Sequence, residues 1–368
     1  MSKLDEVVKN INKQWKEDIA SKGVHWSKLP KIPFTSSRLN YLLYGGLPRG
    51  RLIEFSGEEG GGKTTSALDA CKNAQKLFQE EYEERLANAT DEKEKKLIEA
   101  QGPQKVVYAD CENTFDEDWA RTLGVDVDSM YIIKPQTQAA EDIFQIVLDM
   151  LETGECGLAV IDSLGIMLSK QAYEKDMTEK TYGGISMPLT LFSKKAELLC
   201  HRYNSTLIGI NQMREDMNNP YGGKTTPGGR GWKHNCSMRL QFAKGDYIDE
   251  LGNRLTRSAE TPKGNKVMVT VLKQKVDKPD RRLGYYTLMY DYGVDEVADI
   301  VETAMKYGII NKAGAWFSIV DIETGEIVCE EDGTPLKFQG QAAITEYIRD
   351  NDILRDELND IIRRQMEG

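Results

Sequence analysis

Leu52 to Cys71, LIEFSGEEGGGKTTSALDAC, passes from an apolar run through a cluster of glycines into helix-spaced residues, and little else in the chain is so restrictive. Ile53 and Phe55 suit a buried strand, whereas Ala67, Ala70, Cys71, Ala74, Leu77 and Phe78 recur at helical spacing. Between them Gly57, Glu58, Glu59, Gly60, Gly61, Gly62, Lys63 and Thr64 satisfy G-x-x-x-x-G-K-[ST], with Thr65 next in line. A strand that turns into a helix through such a loop offers backbone N–H groups and a helix N-terminus to a phosphate chain. Glycines 60 to 62 let the main chain approach phosphate with no Cβ in the way. Lys63 is placed for the terminal phosphates and Thr64 for Mg²⁺. A glycine turn that merely joined strand to helix would not require Lys-Thr at its end.

Length and composition set the outer bounds. With 368 residues there is room for one large domain and a smaller one. The chain holds no apolar run of about 18 residues, and its N-terminus lacks a signal-peptide core, so a soluble cytoplasmic protein with no membrane partner is expected. Six cysteines are scattered without a C-x-x-C pair, which reads as reduced, mostly packed thiols. A net charge of -11 excludes a surface coated in basic residues. It still allows a local basic stripe that neutralises nucleic-acid phosphates.

Leu4, Val7, Val8, Ile11, Trp15 and Ile19 share one helical face near the N-terminus, which must dock on this chain's own core or on a neighbouring subunit. Pro30 and Pro33 mark a linker, after which Ser36 or Ser37 is placed to cap a short helix. Residues 79–104, rich in Glu and Lys, have helix propensity and no strand signal, so a solvated helical extension or hairpin is expected. In KVVYADCENTFDEDWARTLGVD, Asp110 and Glu112 follow a short strand, at the end where parallel sheets bind ligands. Asp116 is placed to cap the next helix, putting Trp119 at its exposed start, either as a surface aromatic or as a face that stacks a base.

Residues 139–151 read as a helix, and GLAVIDSLGIM delivers a strand that stops at Asp162. A carboxylate there is costly unless it meets a cation or water, and beside Thr64 it becomes the expected outer partner of Mg²⁺. Two long polar stretches follow, 170–187 and 213–233, separated by a helix from Pro188 to Tyr203 with Leu191, Leu198 and Leu199 expected towards the core. They carry Lys170, Lys175, Lys180, Arg214, Lys224, Gly228, Gly229, Arg230 and Lys233 and leave the same edge of the expected sheet. Amides and cations on long loops suit a phosphate backbone, although incidental surface charge explains the composition equally well. In KVMVTVLKQKV an alternating valine face runs out as Lys273 and Lys275, a pair that invites an anionic partner such as a nucleotide held by another subunit. Beyond Gly293 the pattern becomes a small α+β appendage.

Taken in order, GGLPRGRLIEFSGEEGGGKTT, ADCENTFDEDWARTLGVD, VIDSLGIM, INQMR, TTPGGRGWKHNCSMRL, VLKQKV and NKAGAWFS resemble the bacterial RecA recombinase family from about Ile32 to the C-terminus. The resemblance implies an α/β fold: a P-loop NTPase core of RecA type at 32–290 with a mostly parallel central sheet, an N-terminal oligomerisation helix and linker at 1–31, and a small α+β domain at 291–368. It further implies that Glu112 prepares the attacking water, Asp116 and Trp119 contact adenine, and Gln212 senses the γ-phosphate. Lys273 and Lys275 would reach a neighbour's ATP, and the two polar stretches would bind DNA. The implied activity is DNA-dependent hydrolysis of ATP with Mg²⁺, in a helical filament on single-stranded DNA that pairs with homologous duplex, with room for single-strand-binding and loader proteins as further partners.

The chain departs from the family at His234, where an interface phenylalanine is usual, in its reworded second loop with Asp216, Asn218 and Asn219, and in the extra charged segment. Alternatives built from the same phosphate loop are a hexameric motor of helicase type and an ATP-gated coat for single strands.

Overall fold

The computed structural model describes residues 2–15, 29–135, 139–175, 184–215, 223–250, 252–330 and 332–367. Ile19, Lys180, Asp216, Asn218 and Asn219 therefore lie outside the described residues. Contacts divide the chain into two units, Met1–Pro30 and Lys31–Gly368. The first contains the helix Lys3–Trp15 (α1), opened by a reciprocal cap in which Ser2 N donates to Asp5 Oδ2 at 2.8 Å and Asp5 N to Ser2 Oγ at 3.2 Å.

In the second unit Lys31–Ile32 (β1) pairs with Leu47–Pro48 (β2) around the helix Ser37–Leu42 (α2), capped by the Ser36 hydroxyl. Leu52–Gly57 (β3) then turns into Lys63–Ala87 (α3). The end of α3 and Glu92–Gln101 (α4) form the charged helical hairpin, with Asp91 capping α4 and Gly102 ending it at φ 64°. Lys105–Asp110 (β4), Glu117–Thr122 (α5), Tyr131–Ile133 (β5), Ala140–Glu152 (α6), Cys156–Asp162 (β6), Lys170–Tyr173 (α7), Ser186–Tyr203 (α8) and Thr206–Gln212 (β7) continue the alternation. Arg214–Glu215 (β8) and Lys224–Thr225 (β9) pair with each other, and Gly229–Asn235 (α9) leads into Met238–Ile248 (β10), Gly264–Gln274 (β11), Leu283–Met289 (β12) and Gly293–Val294 (β13).

Nine strands form one sheet in the order β13-β12-β11-β10-β3-β7-β6-β4-β5. Strands from β10 through β5 run parallel and the remaining three pair antiparallel. Alternation sends Ile53, Phe55, Val106, Tyr108, Leu158 and Val160 to the face covered by α3 and Leu52, Val107, Ala109, Ala159 and Ile161 to the face covered by α6 and α8. Each fully buried Val, Leu, Ile or Phe side chain on these faces contributes roughly 1.5–3 kcal/mol. Among the described residues no helix is long and apolar enough to cross a membrane.

Two sequence expectations need correction. Leu191 and Leu198 do not face the core: they are 59% and 73% exposed, and Leu199 is partly buried. The buried stripe is Leu189, Phe192, Ala196 and Cys200, because α8 is pinned by Phe192 stacking on Phe144 of α6 at 4.4 Å. The second polar stretch is also shorter than 213–233. Gly228, at φ 97°, turns the chain into α9, whose Trp232 is fully buried, so Arg230 and Lys233 sit on a helix.

A separate apolar cluster lies in the C-terminal part, where Glu296–Lys306 (α10), Gln341–Arg349 (α11) and Asp352–Glu367 (α12) pack with the three strands Ile310–Ala313 (β14), Trp316–Ile319 (β15) and Lys337–Gln339 (β16). It joins the rest through a polar seam. Ser36 donates to Asp299, Ser37 Oγ to Thr303 Oγ1 at 3.1 Å, and Arg38 pairs with Glu302 while lying over the Tyr285 ring.

Candidate nucleotide site and the loops beside it

Backbone geometry shapes the phosphate loop. Gly57 has φ 155°, and a Cβ there would come within 2.2 Å of Phe242 O on β10. Gly62, at φ 89°, is the N-cap of α3 and provides no side chain to cap it. The first turn of α3 also contains no acidic residue, so its N–H groups and dipole are open to an anion.

Lys63 is buried and donates its Nζ to Glu58 O at 2.6 Å, within the loop itself. Burial holds its pKa below the ordinary lysine value, against the pull of the Asp162 and Glu112 carboxylates. Thr64 Oγ1 donates to Asp162 Oδ2 at 2.8 Å, and the Tyr108 hydroxyl donates to the same oxygen at 2.8 Å. Burial raises the Asp162 pKa while these two donors lower it. The donor set is hard oxygen, a threonine hydroxyl beside a carboxylate, which fits Mg²⁺ bound together with phosphate rather than in a closed protein cage. Among the described residues there is no group of three or more His, Cys, Asp or Glu that could hold a metal ion.

Glu112 lies past the end of β4 and Gln212 ends β7. Gln212 Nε2 donates to Glu112 Oε1 at 3.0 Å, and Ser163 Oγ donates to the same oxygen. The structure therefore gathers Lys63, Thr64, Glu112, Asp162 and Gln212 at the C-terminal ends of β3, β4, β6 and β7. Asp110 has a different task, accepting from the N–H groups of Thr114 and Phe115 to shape the loop around Glu112.

A cleft of about 360 Å³ opens beside the loop, lined by Gly60, Gly61, Gly62, Lys63, Thr64 and Thr65 together with Trp119, Lys244, Asn265, Leu288 and Tyr290. Trp119 reaches it because Asp116 caps α5, its Oδ1 accepting from Trp119 N at 2.9 Å. Asp116 itself does not line the cleft. Lys244, Asn265 and Leu288 lie on β10, β11 and β12 and Tyr290 follows β12, and no local sequence motif marks any of them. Ser163 and Tyr108 carry no motif of their own, although the first follows Asp162 and the second precedes Asp110 by two positions.

Lys273 and Lys275 stand at the end of β11 and point at the C-terminus of α9. Lys273 Nζ donates to Lys233 O and His234 O, both at 2.7 Å, and Lys275 Nζ to His234 O at 3.1 Å. Partial burial, then the neighbouring ammonium, hold the Lys273 pKa down. Among the other loop cations Lys224 forms an ion pair with Glu58 of the phosphate loop, Arg214 donates to Gly165 O at 2.9 Å, and Lys233 Nζ donates to Thr225 Oγ1 at 2.6 Å. Lys170 donates its backbone N–H to Glu141 in the first turn of α7, Lys175 is partly buried, and Arg230 is exposed. Gly228 and Gly229 take φ 97° and 73° at the head of α9.

A strand, a glycine loop and a helix, with Lys63, Thr64 and Asp162 converging on them at the carboxyl edge of a mostly parallel sheet, define a P-loop nucleotide-binding α/β protein. The family model for the RecA N-terminal domain matches residues 93–295, so the phosphate loop precedes the matched part. The chain is 32% identical to Protein RecA of Ruminococcus albus over 80% of its own length and 66% of that relative, a share just under two thirds. It is 30% identical to Protein RecA of Thermus aquaticus over 96% of its length and 92% of the relative, and 28% identical to that of Aquifex aeolicus over 98% and 91%. The chain belongs to the RecA family.

Proposed function

We propose that this chain is an ATP-dependent homologous recombinase that polymerises on single-stranded DNA, pairs it with homologous duplex and promotes strand exchange in the cytoplasm. The observation that carries the reading is the Gln212–Glu112 hydrogen bond, which ties the phosphate site to the residue from which the second loop departs. Family membership favours the recombinase over a hexameric motor or a passive single-strand coat.

In this reading the N–H groups of α3 and Lys63 hold the phosphates of ATP, and Trp119 stacks the base beside Asp116. Thr64, with Asp162 behind it, holds Mg²⁺, which when bound neutralises phosphate charge. Glu112 orients the attacking water and takes its proton, and Gln212 responds to the terminal phosphate. Lys273 and Lys275 serve the nucleotide of the adjoining subunit, and α1 docks on that subunit. Residues 170–187 and 213–228, with α9, grip the DNA backbone through Lys170, Lys175, Lys180, Arg214, Lys224, Arg230, Lys233 and the amides at Gly228 and Gly229.

The test is ATP hydrolysis with and without single-stranded DNA, joined to electron microscopy of protein, DNA and a non-hydrolysable ATP analogue. Helical filaments with DNA-stimulated hydrolysis support the reading. Closed rings, or filaments with equal rates, contradict it.

A further inference from the structure

Glu54 lies in the middle of β3, three residues before the phosphate loop, and is completely buried. A carboxyl group in such a place is costly unless its oxygens are fully engaged. Here they are. Oε1 accepts from Asn211 Nδ2 and from Trp232 Nε1, each at 3.1 Å, and Oε2 accepts from Arg239 Nε at 2.5 Å.

The three donors come from three elements that surround the site. Asn211 precedes Gln212 on β7, and its amide also donates to Pro227 O at 3.0 Å, in the segment that closes the second loop. Trp232 is the buried anchor of α9. Arg239, on β10, sits opposite Lys273 in the sheet register. Glu54 thus binds the neighbour of the phosphate sensor, the far end of the loop, and the partner of an interface lysine through one pair of oxygens.

We propose that Glu54 is the positioning residue that couples the nucleotide site to the second loop, holding Asn211, Trp232 and Arg239 in one register so that a shift at Gln212 is passed to Pro227 and α9. This rests on the proposed DNA-stimulated hydrolysis of ATP. In a buried setting these bonds support one another, and weakening one weakens the rest. Glu54 itself touches neither the phosphate loop's cleft nor the reacting groups.

The experiment uses the full chain, ATP with Mg²⁺ and an oligothymidylate strand, in wild type, Glu54→Gln and Trp232→Phe. Thermal unfolding verifies the fold. In both variants ATP affinity and DNA-free hydrolysis are expected to stay within about threefold of wild type, while DNA stimulation drops by about tenfold in Glu54→Gln. The tightening of DNA binding by a non-hydrolysable ATP analogue is lost with it. Trp232→Phe, which removes one donor and keeps an aromatic ring, shows the same split in weaker form, and it decides the matter if Glu54→Gln does not fold. Unchanged stimulation in a folded variant overturns the proposal, as does a proportional fall of DNA-free and stimulated rates, the mark of a purely structural role. A wild type that DNA does not stimulate overturns the functional reading and this inference together.

Discussion

Gln212 donates its side-chain amide to Glu112 Oε1 at 3.0 Å across the end of β6, since that strand separates β7 from β4 in the sheet. Ser163, from the turn after β6, donates to the same oxygen and fills the gap. One carboxylate therefore gathers the tips of three strands. In the proposed reading, a phosphate group that drew Gln212 towards itself would break this bond to Glu112 and move the residue that precedes the second loop.

If Glu112 accepts the proton as proposed, replacing it separates binding from turnover. Glu112→Gln keeps the size and the hydrogen bond from Gln212 but accepts a proton poorly, so DNA-stimulated hydrolysis is expected to fall by about 10² to 10⁴. ATP affinity should change little, because Lys63 and α3 are intact. Parallel phosphate-release and nucleotide-titration measurements check this, and equal losses in both would contradict the role.

Trp119 and Tyr290 are the aromatic side chains that line the cleft, and in the proposed reading it is Trp119 that stacks the base. Base stacking of this kind is worth about 0.5–1.5 kcal/mol, so Trp119→Ala should weaken ATP binding by about two- to tenfold. Trp119→Tyr should stay close to wild type. Calorimetric titration of the two variants distinguishes stacking from a packing defect, since the latter lowers melting temperature as well.

The ammonium groups of Lys273 and Lys275 rest on the last carbonyls of α9, where a helix C-terminus favours positive charge. Replacing both by alanine should cost about 0.3–1 kcal/mol of stability per lysine. If these groups serve the subunit interface as proposed, assembly on DNA should fail altogether. Denaturant unfolding and electron microscopy of the double variant report the two effects separately. Filaments of normal length would rule out the interface role.

Asp299 is fully buried in the seam beneath α2, where it accepts from Ser36 and faces Arg38, Glu302 and Asp295. Burial pushes its pKa from 3.8 to about 8. The folded chain keeps this proton until about pH 8, whereas the unfolded chain loses it at the ordinary carboxylate pKa near 3.8. Unfolding thus releases a proton between those limits, so this group's contribution to stability falls as pH rises through the window. Asp299→Asn, neutral at every pH, should show a flatter profile of unfolding midpoint between about pH 5 and pH 8. An unchanged slope would place the pH response elsewhere.

The strand, loop and helix around Gly57 to Thr64 are legible because local spacing and turn chemistry specify them, and the caps at Ser36 and Asp116 follow from neighbours three residues away. What stays hidden depends on strand order. Lys244, Asn265 and Tyr290 reach the cleft because β10 pairs with β3 and β11 and β12 follow it in the sheet, and the donors to Glu54 are assembled from both sides of β3. No motif links residues so far apart in the chain.

Helix α8 shows the same limit at shorter range and supplies a stability test. Leucines occupy 189, 191, 198 and 199, so apolar size alone does not choose the buried face; packing on α6 and α9 does. Leu189 is fully buried, and its side chain lies where a Cβ on Gly228 would meet it at 2.4 Å. Leu189→Ala should therefore cost about 2–5 kcal/mol, as large-to-small changes in a packed core do. The exposed pair should behave differently. Leu191→Ser and Leu198→Ser are each expected to change stability by less than about 0.5 kcal/mol. Chemical denaturation of the three variants decides the matter, and a large loss from Leu191→Ser or Leu198→Ser in a dilute monomeric sample would show that this face is packed against the chain itself.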